Sequence, residues 1–204
     1  MLVWVWFLFG RRLVAGVLLM GWFVTALVLA RAGFFTELSL MFYPNIGLMF
    51  VPIIIGLGIL RNSPAARRLI DNLPQHRLIA VQTMRLMGIS FFNLYSAGLM
   101  PAEFALPSGG GDVFIGVTAP LVAGLLFLKK SYARRLAIIW NYVGLADLVL
   151  AIILGFFTSP TPYQLLALRN PNDLLFAYPM ALIPVFAVPL SFLLHLFSLR
   201  ALRL

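Results

Sequence analysis

Asp147 is the residue whose position asks most for a chemical explanation. It falls in the middle of the long apolar run Leu136–Phe157. A carboxylate at the centre of a bilayer costs at least about 2.5–3.5 kcal/mol, so such a group faces a bundle interior or water and finds a partner. The chemistry open to it is reversible protonation, ion pairing or cation binding. Helical spacing sets Trp140, Gly144 and Ala151 on its face, with Asn141 beside Trp140. Arg85, in the apolar run Leu78–Leu99, is its natural partner. An arginine there leans toward the helix N-terminus and can also snorkel to water alone. Gln82, Ser90 and Asn93 continue a polar edge on the same run. Such an edge reads as helix-to-helix bonding or as part of a pathway. The expected polar centre is therefore Asp147, Arg85, Asn93, Trp140 and Asn141.

Glu103 and Asp112 bracket the segment Pro101–Gly111. The string Gly109-Gly110-Gly111-Asp112 reads as a flexible turn closed by an N-cap for the next helix. On that reading Glu103 and Asp112 form an acidic outer mouth that attracts cations. The glycines are not a nucleotide loop, because G-x-x-x-x-G-K-[ST] is absent. There is no cysteine, which excludes thiolate catalysis, iron–sulfur clusters and cysteine zinc sites. His76 and His195 are the only histidines. No metal and no cofactor is expected, and no catalytic residue is assigned.

The elements that hold these residues follow from composition. The chain has 204 residues, 62% hydrophobic and 10% charged, with mean hydropathy +1.01. A soluble domain is nearer 45–50% apolar and about 25% charged. The reading is an all-α integral membrane protein, one transmembrane domain over residues 1–204, with the lipid bilayer as its solvent. Six spans are placed near 13–30, 40–60, 78–99, 112–128, 136–157 and 179–199. Each is long enough for a hydrocarbon layer of about 30 Å. Continuous apolar runs of this length fit helices rather than barrel strands. Pro52 in helix two, and Pro184 and Pro189 in helix six, remove backbone bonds and are expected to kink both. Asn45 sits near the outer end of helix two.

The net charge of +9 does not point to nucleic acid, because the cations cluster between the spans. Arg11, Arg12, Arg61, Arg67, Arg68, Arg77, Lys129, Lys130, Arg134, Arg135, Arg200 and Arg203 share one side of a six-span topology. Arg31 and Arg169 lie on the other. The positive-inside rule then puts both termini in the cytoplasm. Met1–Phe9, with Trp4 and Trp6, is too short to span and reads as an interfacial anchor. A cleaved signal peptide is the competing reading, but the apolar leader before the arginines is wrong for it. Ser63-Pro64 predicts a short helix through Arg67–Leu69 that ends before Pro74. Thr161-Pro162 repeats that signal ahead of an interfacial or re-entrant segment at 163–169.

The strings Leu106-Pro-Ser-Gly-Gly-Gly-Asp-Val-Phe-Ile-Gly116 and Trp140-Asn-Tyr-Val-Gly-Leu-Ala-Asp-Leu-Val-Leu-Ala151 resemble stretches of uncharacterised small multi-span bacterial membrane proteins. The resemblance implies a bacterial inner membrane and carries no activity. The first functional expectation is a proton- or ion-linked transporter or channel using Asp147, in a bundle thin enough to suggest a homo-oligomer. The second is an accessory or assembly subunit of a larger membrane complex. The third is a membrane-embedded enzyme acting on a lipid through Glu103 and Asp112. If Asp147 and Arg85 pair, Asp147→Ala should destabilise more than the same change combined with Arg85→Leu, because the single change strands a buried guanidinium.

Overall fold

The computed structural model describes residues 13–36 and 44–203, except the side chains at 44–46 and 48. Met1–Phe9, Arg11, Arg12, the start of the second expected span and the Asn45 side chain lie outside the described residues. Those described form helices and connecting turns, with no strand among them. In chain order the α-helices are α1 Leu13–Arg31, α2 Pro44–Asn62, α3 Pro64–Asp71, α4 Gln75–Val81, α5 Ile89–Ser96, α6 Ala102–Phe127, α7 Ala133–Thr158 and α8 Val188–Arg203. A 3₁₀ segment, Gln82–Gly88, joins α4 to α5 without a break, and a π-helical turn, Ile183–Ala187, leads into α8.

Four helices are long and apolar enough to cross a membrane: α1, α6, α7 and the segment Ile183–Arg203. A fifth is reached if Met49–Asn62 and Pro64–Asp71, bent by 101°, count as one span. The run 75–96 is apolar as well, but it is divided into three short helical pieces. The corner between α2 and α3 has the predicted cap. Ser63 Oγ accepts from the Ala66 N–H at 3.2 Å, and Pro64 takes the first helical position, where its missing N–H is not needed. The matching signal at Thr161-Pro162 starts no helix. Thr161 Oγ1 accepts from the Tyr163 N–H at 2.9 Å, a local turn, and Leu165 and Leu168 beyond it are exposed.

The largest correction is to α6. It begins at Ala102, behind Pro101, and runs for 26 residues through the three glycines, so the helix expected at 112–128 starts ten residues earlier. The glycines are not a turn and Asp112 is not an N-cap. Three consecutive glycines are poor helix formers in water, but inside a packed apolar bundle every backbone group needs a partner, and a helix supplies it internally. Absence of side chains also lets neighbouring helices approach closely. A Cβ on Gly109 would sit 3.1 Å from the Gly88 carbonyl, and one on Gly116 would sit 2.7 Å from the Leu86 nitrogen. The face of α6 with small residues is thus pressed against the 3₁₀ segment.

α8 lies at the centre. Its side chains from Pro189 to Leu202 are largely buried, against α2, α4 and α7. Gly56 of α2 admits the Leu193 side chain, which a Cβ would meet at 2.7 Å. Arg200 forms an ion pair with Asp71 of α3, at 2.8 and 3.0 Å. Arg134 Nε donates to the Leu202 carbonyl at 2.7 Å, and His76 meets Phe127 edge-on at 5.4 Å. These contacts gather the cation-rich connections 61–77 and 128–135 with the end of α8. At the far end of α1, Arg31 lies over the Tyr178 ring at 5.2 Å, so the loop after α1 meets the loop 159–182.

α1 is held along one narrow strip. Trp22 and Phe23 pack on Phe186 at ring distances of 4.6 and 5.2 Å, and Ala26 and Ala30 are buried. Pro189 has no N–H to give to the carbonyl four residues back, Val185. The Trp22 indole N–H donates to that carbonyl from α1 at 3.3 Å. Trp22→Phe keeps the ring and removes the donor, so it should lower stability by about 0.5–1.5 kcal/mol. Detergent unfolding would show this, and the loss should shrink when Pro189→Ala restores a backbone donor. An equal loss on both backgrounds would mean the indole bond does not replace the missing one.

Candidate functional site

Arg85 projects from the 3₁₀ segment into the space between α6 and α7. It does not snorkel, since only 3% of its side chain is exposed. Its planar fork offers donors in fixed directions, and three are used. Nε donates to Asp112 Oδ1 at 2.6 Å, Nη1 donates to the Gly144 carbonyl at 3.2 Å, and Nη2 donates to Asp147 Oδ2. The expected partner Asp147 is therefore joined by a second carboxylate that sequence reasoning had placed elsewhere. Asp112 and Asp147 come from near the middles of two 26-residue helices, and they retain 18% and 11% side-chain exposure.

Glycine makes this arrangement possible. A Cβ at Gly111 would overlap the Asp147 carboxylate, and one at Gly88 would overlap the Asp112 side chain. Each acid thus sits where the neighbouring helix has no side chain. Gly144 has two functions: its carbonyl binds Arg85, and a Cβ there would overlap the His195 ring.

One guanidinium between two ionised carboxylates leaves a formal charge of minus one. Only one oxygen of each acid is bonded to Arg85, and Asp112 Oδ2 has no hydrogen-bond partner among the described residues. Two small cavities meet at Asp112. One, of about 40 Å³, is walled by phenylalanines and aliphatic side chains. The other, of about 30 Å³, is bordered by Arg85 and Ser191. The π-helical residue Ile183 lines both.

A second polar chain lies beside the triad. His195 is fully buried, and its Nδ1 is 2.8 Å from Asn141 Oδ1. Asn141 uses its amide N–H groups on the Ala137 carbonyl, 2.7 Å, and Ser198 Oγ, 3.1 Å. Ser198 in turn donates to Gln75 Oε1 at 3.0 Å. Because Asn141 presents its oxygen, Nδ1 of His195 carries the proton and Nε2 keeps its lone pair; Nε2 has no hydrogen-bond partner among the described residues. Trp140 donates to Thr118 Oγ1 at 2.8 Å and lies 5.3 Å from the His195 ring. Gln82 and Ser191 bond to each other twice, tying the 3₁₀ segment to α8.

Not all the expected residues converge. Asn93 is exposed on α5 and takes no part in the triad. Trp140 and Asn141 belong to the histidine network rather than to Asp147. Glu103 is exposed in the first turn of α6. It lies nine residues before Asp112, roughly 14 Å along the axis, so the two do not form one mouth. His195 is a core group, hydrogen-bonded to Asn141. Its one local signal is that Ser191, His195 and Ser198 recur at helical spacing on one face of α8.

The chain is all-helical, and its long apolar helices fit a membrane protein built round an Asp–Arg–Asp triad. Over residues 42–203 it matches DUF8737, a domain of unknown function, and it belongs to that family. The matched region contains the triad and the histidine network but not α1. No curated protein and no solved structure matches the chain.

Proposed function

We propose that this protein crosses a bacterial inner membrane six times, with cytoplasmic termini, and is a proton-linked carrier whose Asp112–Arg85–Asp147 triad binds the coupling ion. The run 75–96 is the third crossing, and the cation-rich ends of the helices face the cytoplasm. One observation carries the functional reading: a single guanidinium is shared by two carboxylates near the middles of two long apolar helices. A net negative charge in that setting is costly, and one bound proton or monovalent cation removes it. The π-helical turn beside Asp112 supports movement there, since such turns interrupt regular helix bonding and recur at functional sites.

Infrared difference spectroscopy and proteoliposome flux test this together. On acidification the wild type should develop the carbonyl band of a buried carboxylic acid, and Asp147→Asn or Asp112→Asn should remove it. A potassium diffusion potential should drive proton uptake into vesicles at least tenfold faster for wild type than for Asp147→Asn. Equal uptake and unchanged bands would reduce the triad to helix-to-helix bonding. Uptake that depends on external sodium, with no proton signal, would replace the proton by sodium as the bound ion.

A further inference from the structure

We infer that the cavity ending at Asp112 is a binding site for a small aliphatic ammonium ion, which competes with the proton for the same carboxylate. This rests on the proton-linked reading above and names the class of substrate for that site.

The cavity has two chemically different parts. Its walls are apolar, with Phe91, Phe104, Phe156 and Phe176 around Ala151 and Gly155. Among the described residues its single charged lining group is Asp112, whose Oδ1 accepts from Arg85 Nε and whose Oδ2 has no partner there. An apolar site with one charged group recognises a molecule with an apolar body and one complementary end. The triad's formal charge of minus one selects a cation over a neutral or anionic ligand, and aromatic walls tolerate a cation better than aliphatic ones.

Size limits the ligand further. The two cavities that meet at Asp112 measure about 40 and about 30 Å³. Each is well below the volume in which an apolar protein cavity holds benzene. The ligand is therefore a primary ammonium with a short aliphatic chain.

The exchange balances simply. A protonated Asp112 carboxyl releases its proton to water as the ammonium arrives, and the carboxylate then accepts an N–H hydrogen bond from the ligand. The triad is neutral before and after, one proton leaves for each ammonium bound, and no covalent bond other than O–H is broken. Because the site cannot hold both at once, the ammonium displaces the proton and should inhibit proton uptake.

The probe is n-propylammonium chloride, titrated into the purified full chain in detergent by calorimetry. Two buffers of different ionisation enthalpy count the protons released. The expected result is one ammonium bound per chain, with proton release approaching one at pH values where the infrared band shows the acid protonated. Propan-1-ol, which has the same chain and no charge, should not bind. Asp112→Asn should abolish binding. Ala151→Leu fills the apolar part and leaves the triad intact; it should weaken propylammonium at least tenfold while keeping the infrared band and the proton uptake. Retention of that band and uptake shows that the variant is folded. Unchanged propylammonium binding in Ala151→Leu, or equal binding of propan-1-ol, would overturn the inference and leave the proton-linked reading standing. Loss of the infrared band and uptake in the wild type would instead sink that reading itself.

Discussion

Arg85→Met is expected to be among the most damaging single substitutions, lowering stability by about 3–5 kcal/mol, the usual loss when one member of a buried ion pair is removed. Methionine fills much of the volume of the arginine stem, so packing is not the main loss. The change leaves two carboxylates that met on one guanidinium without any cation, and it frees the Gly144 carbonyl. Asp147→Asn should cost less, about 1–3 kcal/mol, because Arg85 keeps Asp112 and Gly144. This changes the expectation drawn from an isolated pair: removing Asp147 does not strand the guanidinium, since a second carboxylate holds it. The informative comparison has three residues. Arg85→Met, Asp112→Asn and Asp147→Asn together should recover much of the stability lost in Arg85→Met, as neutral replacement of buried ion clusters often does. Unfolding of the variants in one mixed-micelle system measures this. If the triple variant is no more stable than Arg85→Met, the carboxylates are not the source of the loss.

Two adjacent glycines should respond in opposite directions. Gly111→Ala places a methyl where the Asp147 carboxylate lies, and the helices can separate only by stretching the Arg85–Asp147 contact. Overpacking of this kind costs about 1–3 kcal/mol, and the weakened ion pair adds to it. Gly110 has nothing within 4 Å of a Cβ and is exposed. Gly110→Ala should therefore raise stability by up to about 1 kcal/mol through helix propensity alone. The same unfolding assay decides between the two. A stabilising Gly111→Ala would mean that α6 and α7 are not in the close contact described, and the triad geometry would fall with it. Gly111→Ala should also slow proton uptake in vesicles, whereas Gly110→Ala should leave it unchanged.

Apolar composition and run length made the helical class legible without a structure, because a bilayer accepts few backbone solutions and all are long. The pairing of Asp147 with Arg85 was legible for the same reason: an ionising group in an apolar run has few tolerable environments, and the opposite charge is one. The cap at Ser63-Pro64 is local and could be read from neighbouring residues. Tertiary structure alone decided the rest. Gly109-Gly110-Gly111-Asp112 has the local signature of a turn, and propensities learned in water favour that reading. Packing against the 3₁₀ segment makes the string helical instead, and it moves Asp112 from a mouth into the triad. The pairing of Asn141 with His195 joins residues 54 apart, and Gln82 with Ser191 joins residues 109 apart. Contacts at such separations leave no periodicity in the chain. They depend on which helix faces come together, and glycines on the 3₁₀ segment, α6 and α7 control that only when all three are in place.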